Sequence, residues 1–264
     1  MSTNRSLSVV IPSHNDIYLH KTIASLLDGS ERKIEIIPVL DGYRPKTSIT
    51  SDPRVRPVFH ERNRGMRESI NTGVAHATGT HLMRTDEHCM FGRGFDRIIL
   101  ETIEDNWIVV PRRYKLNVET WTRMDNRGFI DYEMLIIKQN EVLRKFTSVD
   151  WKQRKNERLG IPIDETMAMQ GSCWIMSRKW WDAVVVRLDS NGYGPLYQDS
   201  TEMLFKTWRA GGKLMINKKT WYAHKHRSFN RTHHYPIERA IPEFAFAVDL
   251  WKDDYEKVRE RWGV

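Results

Sequence analysis

In the first 110 residues, short apolar runs alternate with stretches of helical spacing, and this alternation limits the fold more than any other feature. LSVVI (7–11) is stopped by Pro12 and reads as a buried parallel strand. Ile17, Leu19, Ile23, Leu26 and Leu27 then recur at helical spacing. IEIIPVL (34–40) predicts a second strand, closing at Asp41-Gly42, and VRPVF (55–59) a third, weakened by Pro57. RGMRESINTGVAHATG (64–79) predicts a helix with glycines near both ends, while HLMRT (81–85) and WIVV (107–110) predict further strands. Strand–helix alternation of this kind implies an α/β fold around a mainly parallel central sheet.

Beyond residue 111 the pattern weakens. Residues 112–167 are polar, charged and poorly periodic, and read as an insertion rather than scaffold. Regularity returns with QGSCWIMSRKWWDAVVV, a strand running into a helix, and with STEMLFKTWRAGG, a helix with a Gly-Gly stop. KLMIN and TWYAH read as two short strands. Phe244, Val248, Trp251, Tyr255, Val258 and Trp262 recur at steps of four and three, one apolar stripe of an amphipathic helix that packs on the domain. The expected organisation is a main domain over 1–227 and a C-terminal segment over 228–264.

The chain has 42 Lys+Arg against 34 Asp+Glu, a net charge of +8. Much of the excess falls between Arg112 and Gly160, where 12 basic residues face 7 acidic ones. Such a surface either meets an anionic partner or only solvates a covering segment. The first residues lack the pattern of a signal peptide, and no apolar run is long enough to cross a bilayer. With only Cys89 and Cys173, a reducing, cytoplasmic setting fits better than a disulfide framework.

In an open α/β sheet, ligands bind beyond the carboxyl ends of the strands. Pro12, Ser13, His14 and Asn15 follow the first predicted strand, Asp41 the second, and Asp86, Glu87 and His88 the fourth. Asp41 can accept from a base N–H or a ribose hydroxyl. Asp86 and His88 can share a divalent ion. Imidazole suits transition metals better than Mg²⁺, so the pair favours Mn²⁺, with Zn²⁺ or Fe²⁺ as options. A third ligand would come from His224 or His226 in WYAHKHR.

Together these motifs resemble the GT-A glycosyltransferases, most closely those of family 2. VVIPSHN is similar to their opening strand and VLDGY to their second-strand acid. Asn63, Gly65, Asn71, Gly73, Ala77, Gly79 and Asp86 fall in step with their run towards the Asp-x-Asp-like motif. MAMQGSCWIMSRKWWDAV and DSTEMLFKTWRAGG resemble the polypeptide N-acetylgalactosaminyltransferases. Those enzymes place Asp-x-His and a later histidine on manganese, which here implies Asp86, His88 and His224, with His226 the alternative. PRRYKLNVETW and WYAHKHR are also similar to a family 2 subgroup seen in phage and bacterial genomes.

The resemblance implies a GT-A, Rossmann-like nucleotide-diphospho-sugar transferase fold and a nucleotide-sugar donor, of UDP type. It implies Mn²⁺, with Mg²⁺ second, because His88 stands where the second acid of Asp-x-Asp is usual. Pro12, Ser13, His14, Asn15, Asp41, Gly65, Arg67, Thr85 and Asp86 would hold the nucleotide, with Arg67 or the pair Lys225 and Arg227 adding positive charge. Gln170, Gly171 and Trp174 would line the sugar and acceptor pocket, although Trp174 reads equally as core. The base of inverting members falls on Asp199, beside Glu202; capping of the helix is its other reading. The acceptor would be a hydroxyl, on a phosphate-bearing glycan or a modified nucleic acid such as hydroxymethylated DNA. Two rivals stand beside this reading. A nucleotidyltransferase lacks support because no Gly-rich loop with a trailing Lys follows the first strand, and a non-catalytic nucleic-acid-binding protein would need no metal set.

Overall fold

A computed structural model describes residues 5–226 and 235–264. The strands are β1 (Leu7–Ser13), β2 (Ile34–Asp41), β3 (Val58–His60), β4 (His81–Thr85), β5 (Cys89–Phe91), β6 (Trp107–Asn117), β7 (Thr122–Arg123), β8 (Phe129–Ile130), β9 (Glu133–Gln139), β10 (Arg144–Asp150), β11 (Ile163–Glu165), β12 (Cys173–Ser177) and β13 (Lys213–His224). The helices are α1 (Leu19–Gly29), α2 (Met66–His76), α3 (Phe95–Leu100), α4 (Lys152–Glu157), α5 (Arg178–Trp180, continuing into a π-helical turn), α6 (Asp199–Arg209) and α7 (Ile237–Trp262).

The main sheet runs β11-β13-β6-β12-β4-β1-β2-β3. β1 pairs in parallel with β2 and β4, β2 with β3, and β6 with β13, while β12 and β11 run antiparallel to their neighbours. Apolar side chains leave both faces, as a strand buried on two sides requires. Val9 and Ile11 join Ile23, Leu26 and Phe95 on one face; Val10, Leu82 and Trp174 join Ile70, Phe205 and Trp251 on the other.

Three differences from the sequence reading have physical causes. VRPVF shortens to β3 because Pro57 cannot donate to the ladder, leaving Val55 in a single bridge with Ile36. KLMIN and TWYAH are one strand, β13, broken in register between Asn217 and Trp221 rather than in continuity. The stretch 112–167 is far from unstructured. β6 runs on to Asn117, β9 and β10 form a hairpin, and β11 joins the main sheet through β13. The hairpin carries Phe146 into the core against Phe205 and Tyr255.

On α7, Phe244, Val248, Trp251, Tyr255 and Val258 are buried, with Trp262 edge-on to Trp151. The expected boundary at residue 227, and Arg227 itself, lie outside the described residues. Among the described residues, no helix is long and apolar enough to cross a membrane.

Candidate active site

The ends of β1, β2 and β4 border a cleft of ≈ 490 Å³, lined among others by Pro12, Ser13, His14, Asp41, Arg84, Asp86 and His88. The chain leaves β1 through Asn15 at φ 59°, a left-handed conformation that asparagine tolerates well. Ser13 Oγ lies 2.6 Å from the Tyr43 hydroxyl, and His14 Nδ1 lies 2.7 Å from the Asp41 carbonyl oxygen and 2.9 Å from Asn63 Nδ2. The Asp41 carboxylate accepts from His60 Nδ1 (2.7 Å) and from the backbone N–H groups of Arg64 and Gly65 (2.8 Å each). It thus fixes the loop that closes one side of the cleft. Gly65 is needed there: its φ is +88°, and a Cβ would sit 2.4 Å from Pro195.

At the end of β4 three donors converge. His224 Nε2 lies 3.1 Å from Asp86 Oδ2 and 3.2 Å from His88 Nε2, and His88 Nε2 lies 3.8 Å from Asp86 Oδ2. Donors bound at about 2.1 Å to one ion stand roughly 3.0–3.4 Å apart, so this set fits a transition-metal ion after small adjustments. Burial lowers the His224 pKa against the pull of Asp86, a direction that favours the neutral imidazole a ligand needs. Burial opposes the charge on Asp86, but Arg84 and the two histidines outweigh it and keep the carboxyl below the usual carboxylate range. His226 is outside the cluster; its ring centroid lies 5.0 Å from that of His224, and it borders a different cavity.

Two residues missed in the sequence belong to this centre. Arg84 is buried in β4 and donates to Asp86 Oδ1 (2.6 Å), while its Nε and Nη1 have no hydrogen-bond partner. The signal was a charge in the middle of an apolar strand, which needs a partner or a ligand. Asp16, just before α1, places Oδ2 3.3 Å from His88 Nδ1 and accepts from the Tyr18 N–H at 2.7 Å. An acid three residues past a strand end was the available cue.

Other expected residues sit elsewhere. Arg67 does not reach the cleft: it is fully buried, paired with Glu202, and donates to the carbonyls of Asp189 and Tyr197 (2.8 Å each). Glu202 is likewise consumed, by Arg67 and by Lys206 at 2.7 Å, so the pair ties α2 to α6 and faces no acceptor. Trp174 is core, stacked on Trp181 at 5.8 Å. Thr85 is buried, its hydroxyl turned to the Asp86 carbonyl. Lys225 reaches the Tyr18 hydroxyl at 3.3 Å.

Gln170 and Gly171 line a cavity of ≈ 200 Å³. Gln170 accepts from Arg113, and Gly171 lets the chain pass close to Asp199, since a Cβ there would sit 2.9 Å from Asp199 Oδ2. Asp199 opens α6; it is buried, its Oδ2 has no hydrogen-bond partner, and burial raises its pKa against the pull of Arg84 and Arg67.

A mainly parallel sheet with a cleft at the carboxyl edge of its strands and an Asp-x-His turn beside it is the arrangement that the resemblance to GT-A glycosyltransferases implies. Residues 8–185 match the pattern of glycosyl transferase family 2, and the chain belongs to that family. Polypeptide N-acetylgalactosaminyltransferase 14 of Homo sapiens is 23% identical over 274 residues, covering 95% of this chain and 46% of that protein. Polypeptide N-acetylgalactosaminyltransferase 4 of Mus musculus is 24% identical over 270 residues, with 95% and 44% covered. The crystal structure of GalNAc-T7 with UDP, GalNAc and Mn²⁺ superimposes with a TM-score of 0.74 at 20% identity, over 96% of this chain and 50% of that one. The chain thus spans about half the length of the relatives it matches.

Proposed function

We propose that the chain transfers a sugar from a UDP-sugar to a hydroxyl acceptor, with a divalent ion, Mn²⁺ rather than Mg²⁺, held by Asp86, His88 and His224. The observation that carries this reading is the convergence of those three donors on the rim of the strand-end cleft. The UDP and Mn²⁺ bound in the similar GalNAc-T7 structure support the donor and the metal. The ion, when bound, would neutralise charge on the departing diphosphate. Arg84 adds a second positive group with two unused N–H donors, a role the sequence had suggested for Arg67.

Asp199 is the base in this reading. The acceptor oxygen forms the new bond to the anomeric carbon, the bond to the diphosphate breaks, and the acceptor proton passes to the Asp199 carboxylate. A buried carboxylate with an unpartnered oxygen and a raised pKa suits that role. Product of inverted anomeric configuration is expected, and a retained configuration would leave Asp199 only a positioning part. No observation favours nucleotidyl transfer or mere nucleic-acid binding. The basic surplus of 112–160 supports an anionic acceptor over a neutral one.

A thermal-shift panel of UDP, GDP and ADP, each with Mn²⁺, Mg²⁺ or EDTA, tests the donor and metal together. UDP with Mn²⁺ should raise Tm by a few degrees, because ligand at about 100 times its Kd stabilises by about 2.7 kcal/mol. An equal rise in EDTA, or none with any nucleotide, overturns the metal site or the donor assignment respectively.

A further inference from the structure

A second cavity, of ≈ 300 Å³, opens beside the metal donors on the other flank of β13. At its end β13 lies between β5, where His224 is opposite Cys89, and β6, where His224 is opposite Lys115. The donor cleft is on the first side and this cavity on the second, with the His226 ring on its wall 5.0 Å from the His224 ring. Arg113 links this cavity to Asp199: it lines the cavity and donates to Gln170, whose neighbour Gly171 lies against the Asp199 carboxylate.

The lining has a definite chemistry. Lys115, Arg127 and Lys152 face it from three separate elements and make no ion pair among the described residues. Five cationic side chains, Arg113, Lys115, Arg127, Lys152 and Lys155, line the cavity against one acid, Asp150, a surplus of like charge that an anionic ligand relieves. Tyr114 and Phe129, with ring centroids 5.7 Å apart, add aromatic surface to the lining, with Arg123 over the Tyr114 ring at 4.5 Å and Arg112 over the Phe129 ring at 3.9 Å. Asp150, the single acid of the lining, has an Oδ1 with no hydrogen-bond partner, and can accept from a sugar hydroxyl.

From this combination we infer that the cavity is the acceptor subsite for a phosphate-bearing sugar, its ring against Tyr114 and Phe129, its hydroxyl on Asp150 and its phosphate among Lys115, Arg127 and Lys152. The inference rests on the transferase reading above and specifies its acceptor. A concave site of this volume encloses one sugar unit and its phosphate. A DNA duplex would instead need an extended, open track of cations along its backbone. Three converging cations also exceed what the single negative charge of a uronate requires, whereas a phosphomonoester carries about −1.5 to −2 at neutral pH.

The test is titration calorimetry on the full chain saturated with UDP and Mn²⁺, using glucose 6-phosphate, glucuronate, glucose and a short DNA duplex as probes. Glucose 6-phosphate should bind best, with glucuronate weaker and glucose weakest. The double variant Arg127→Ala/Lys152→Ala should weaken glucose 6-phosphate by at least about tenfold, the scale of losing charge-assisted contacts, and leave UDP affinity within about twofold. Lys152→Glu, a surface change that the fold should accept, gives a second measure in the same direction. Equal binding of glucose and glucose 6-phosphate, or no response to either variant, overturns the subsite. Stronger binding of glucuronate overturns the phosphate assignment, and binding of the duplex alone, steep in salt, replaces it with a nucleic-acid acceptor. Failure of UDP to bind would instead count against the transferase reading, so the two failures are distinguishable.

Discussion

On the donor side of the site, polar side chains stand at the ends of parallel strands: His14 after β1, Asp41 closing β2, Asp86 after β4. On the side proposed for the acceptor, the walls are the far half of β6, the short β8, the approach to α4 and the β9–β10 hairpin. The donor groups owe their positions to backbone ladders, which fix a strand end to within one residue. The acceptor groups depend on packing between elements distant in sequence, such as Phe146 against Phe205 and Tyr255.

The largest effect should come from the metal donors. Asp86→Ala, His88→Ala and His224→Ala should each reduce sugar transfer to background, as should EDTA, with Tm in metal-free buffer little changed for the two histidine variants and lowered for Asp86→Ala, which leaves the buried Arg84 unpaired. His226→Ala should keep donor hydrolysis within about threefold, since large losses come from groups in contact with the reacting atoms. Inactive His226→Ala beside active His224→Ala would reverse the ligand assignment.

The same contrast explains what could be read in advance. That Asp86, His88 and His224 could meet was legible because each stands at or just past the end of a strand whose apolar run announces where it stops, and the structure brings the three together. Arg67 and Glu202 were misplaced because nothing in the sequence separates a charge facing a ligand from one consumed by a buried partner across 135 residues. The β9–β10 hairpin escaped notice for a related reason. Its two strands are half-buried, with only Leu135 and Phe146 of their apolar residues deep in the core, so the expected alternation never forms.

Asp199→Asn comes next in size. Loss of a positioned base should lower kcat by about 10² to 10⁴ while UDP affinity holds. Wild-type turnover should fall on acidification through the raised pKa of this carboxyl. The folded state binds this proton more tightly than the unfolded chain, so the group's contribution to stability grows as pH falls through its folded pKa. At neutral pH the buried charge is a cost, and Asp199→Asn should raise Tm there, with the gap closing as pH falls into the ordinary carboxylate range. A variant that loses UDP affinity but keeps kcat would assign the residue to scaffold.

Phe146→Ala asks whether the acceptor wall is scaffold or only a cover. Its ring is buried to the same degree as Phe95 on the opposite face of the sheet. Both substitutions should cost about 3–5 kcal/mol, or roughly 10 °C in Tm for a chain of this size. A drop below about 2 °C for Phe146→Ala alone would make the hairpin an appendage.

The smallest effect should fall on Asp16, the least visible donor-side residue. Its carboxylate stands 3.3 Å from His88 Nδ1, where it favours a proton on that nitrogen and so favours Nε2 as the lone-pair nitrogen turned to Asp86 and His224. The Tyr18 N–H, bound to the other carboxylate oxygen at 2.7 Å, keeps the acid in place at the start of α1. Outer carboxylates of this kind orient the imidazole and raise its basicity, and their loss usually costs about 10–100-fold in metal affinity. Asp16→Ala should therefore weaken Mn²⁺ binding by that factor, read by electron paramagnetic resonance of free Mn²⁺ without any turnover assay. Asp16→Asn should recover part of the loss, because an amide oxygen still accepts the Nδ1 proton. Equal Mn²⁺ affinity in wild type and Asp16→Ala would show that the His88 ring is held by its burial alone, and the donor side would then owe its precision to the strand ends without help from the helix.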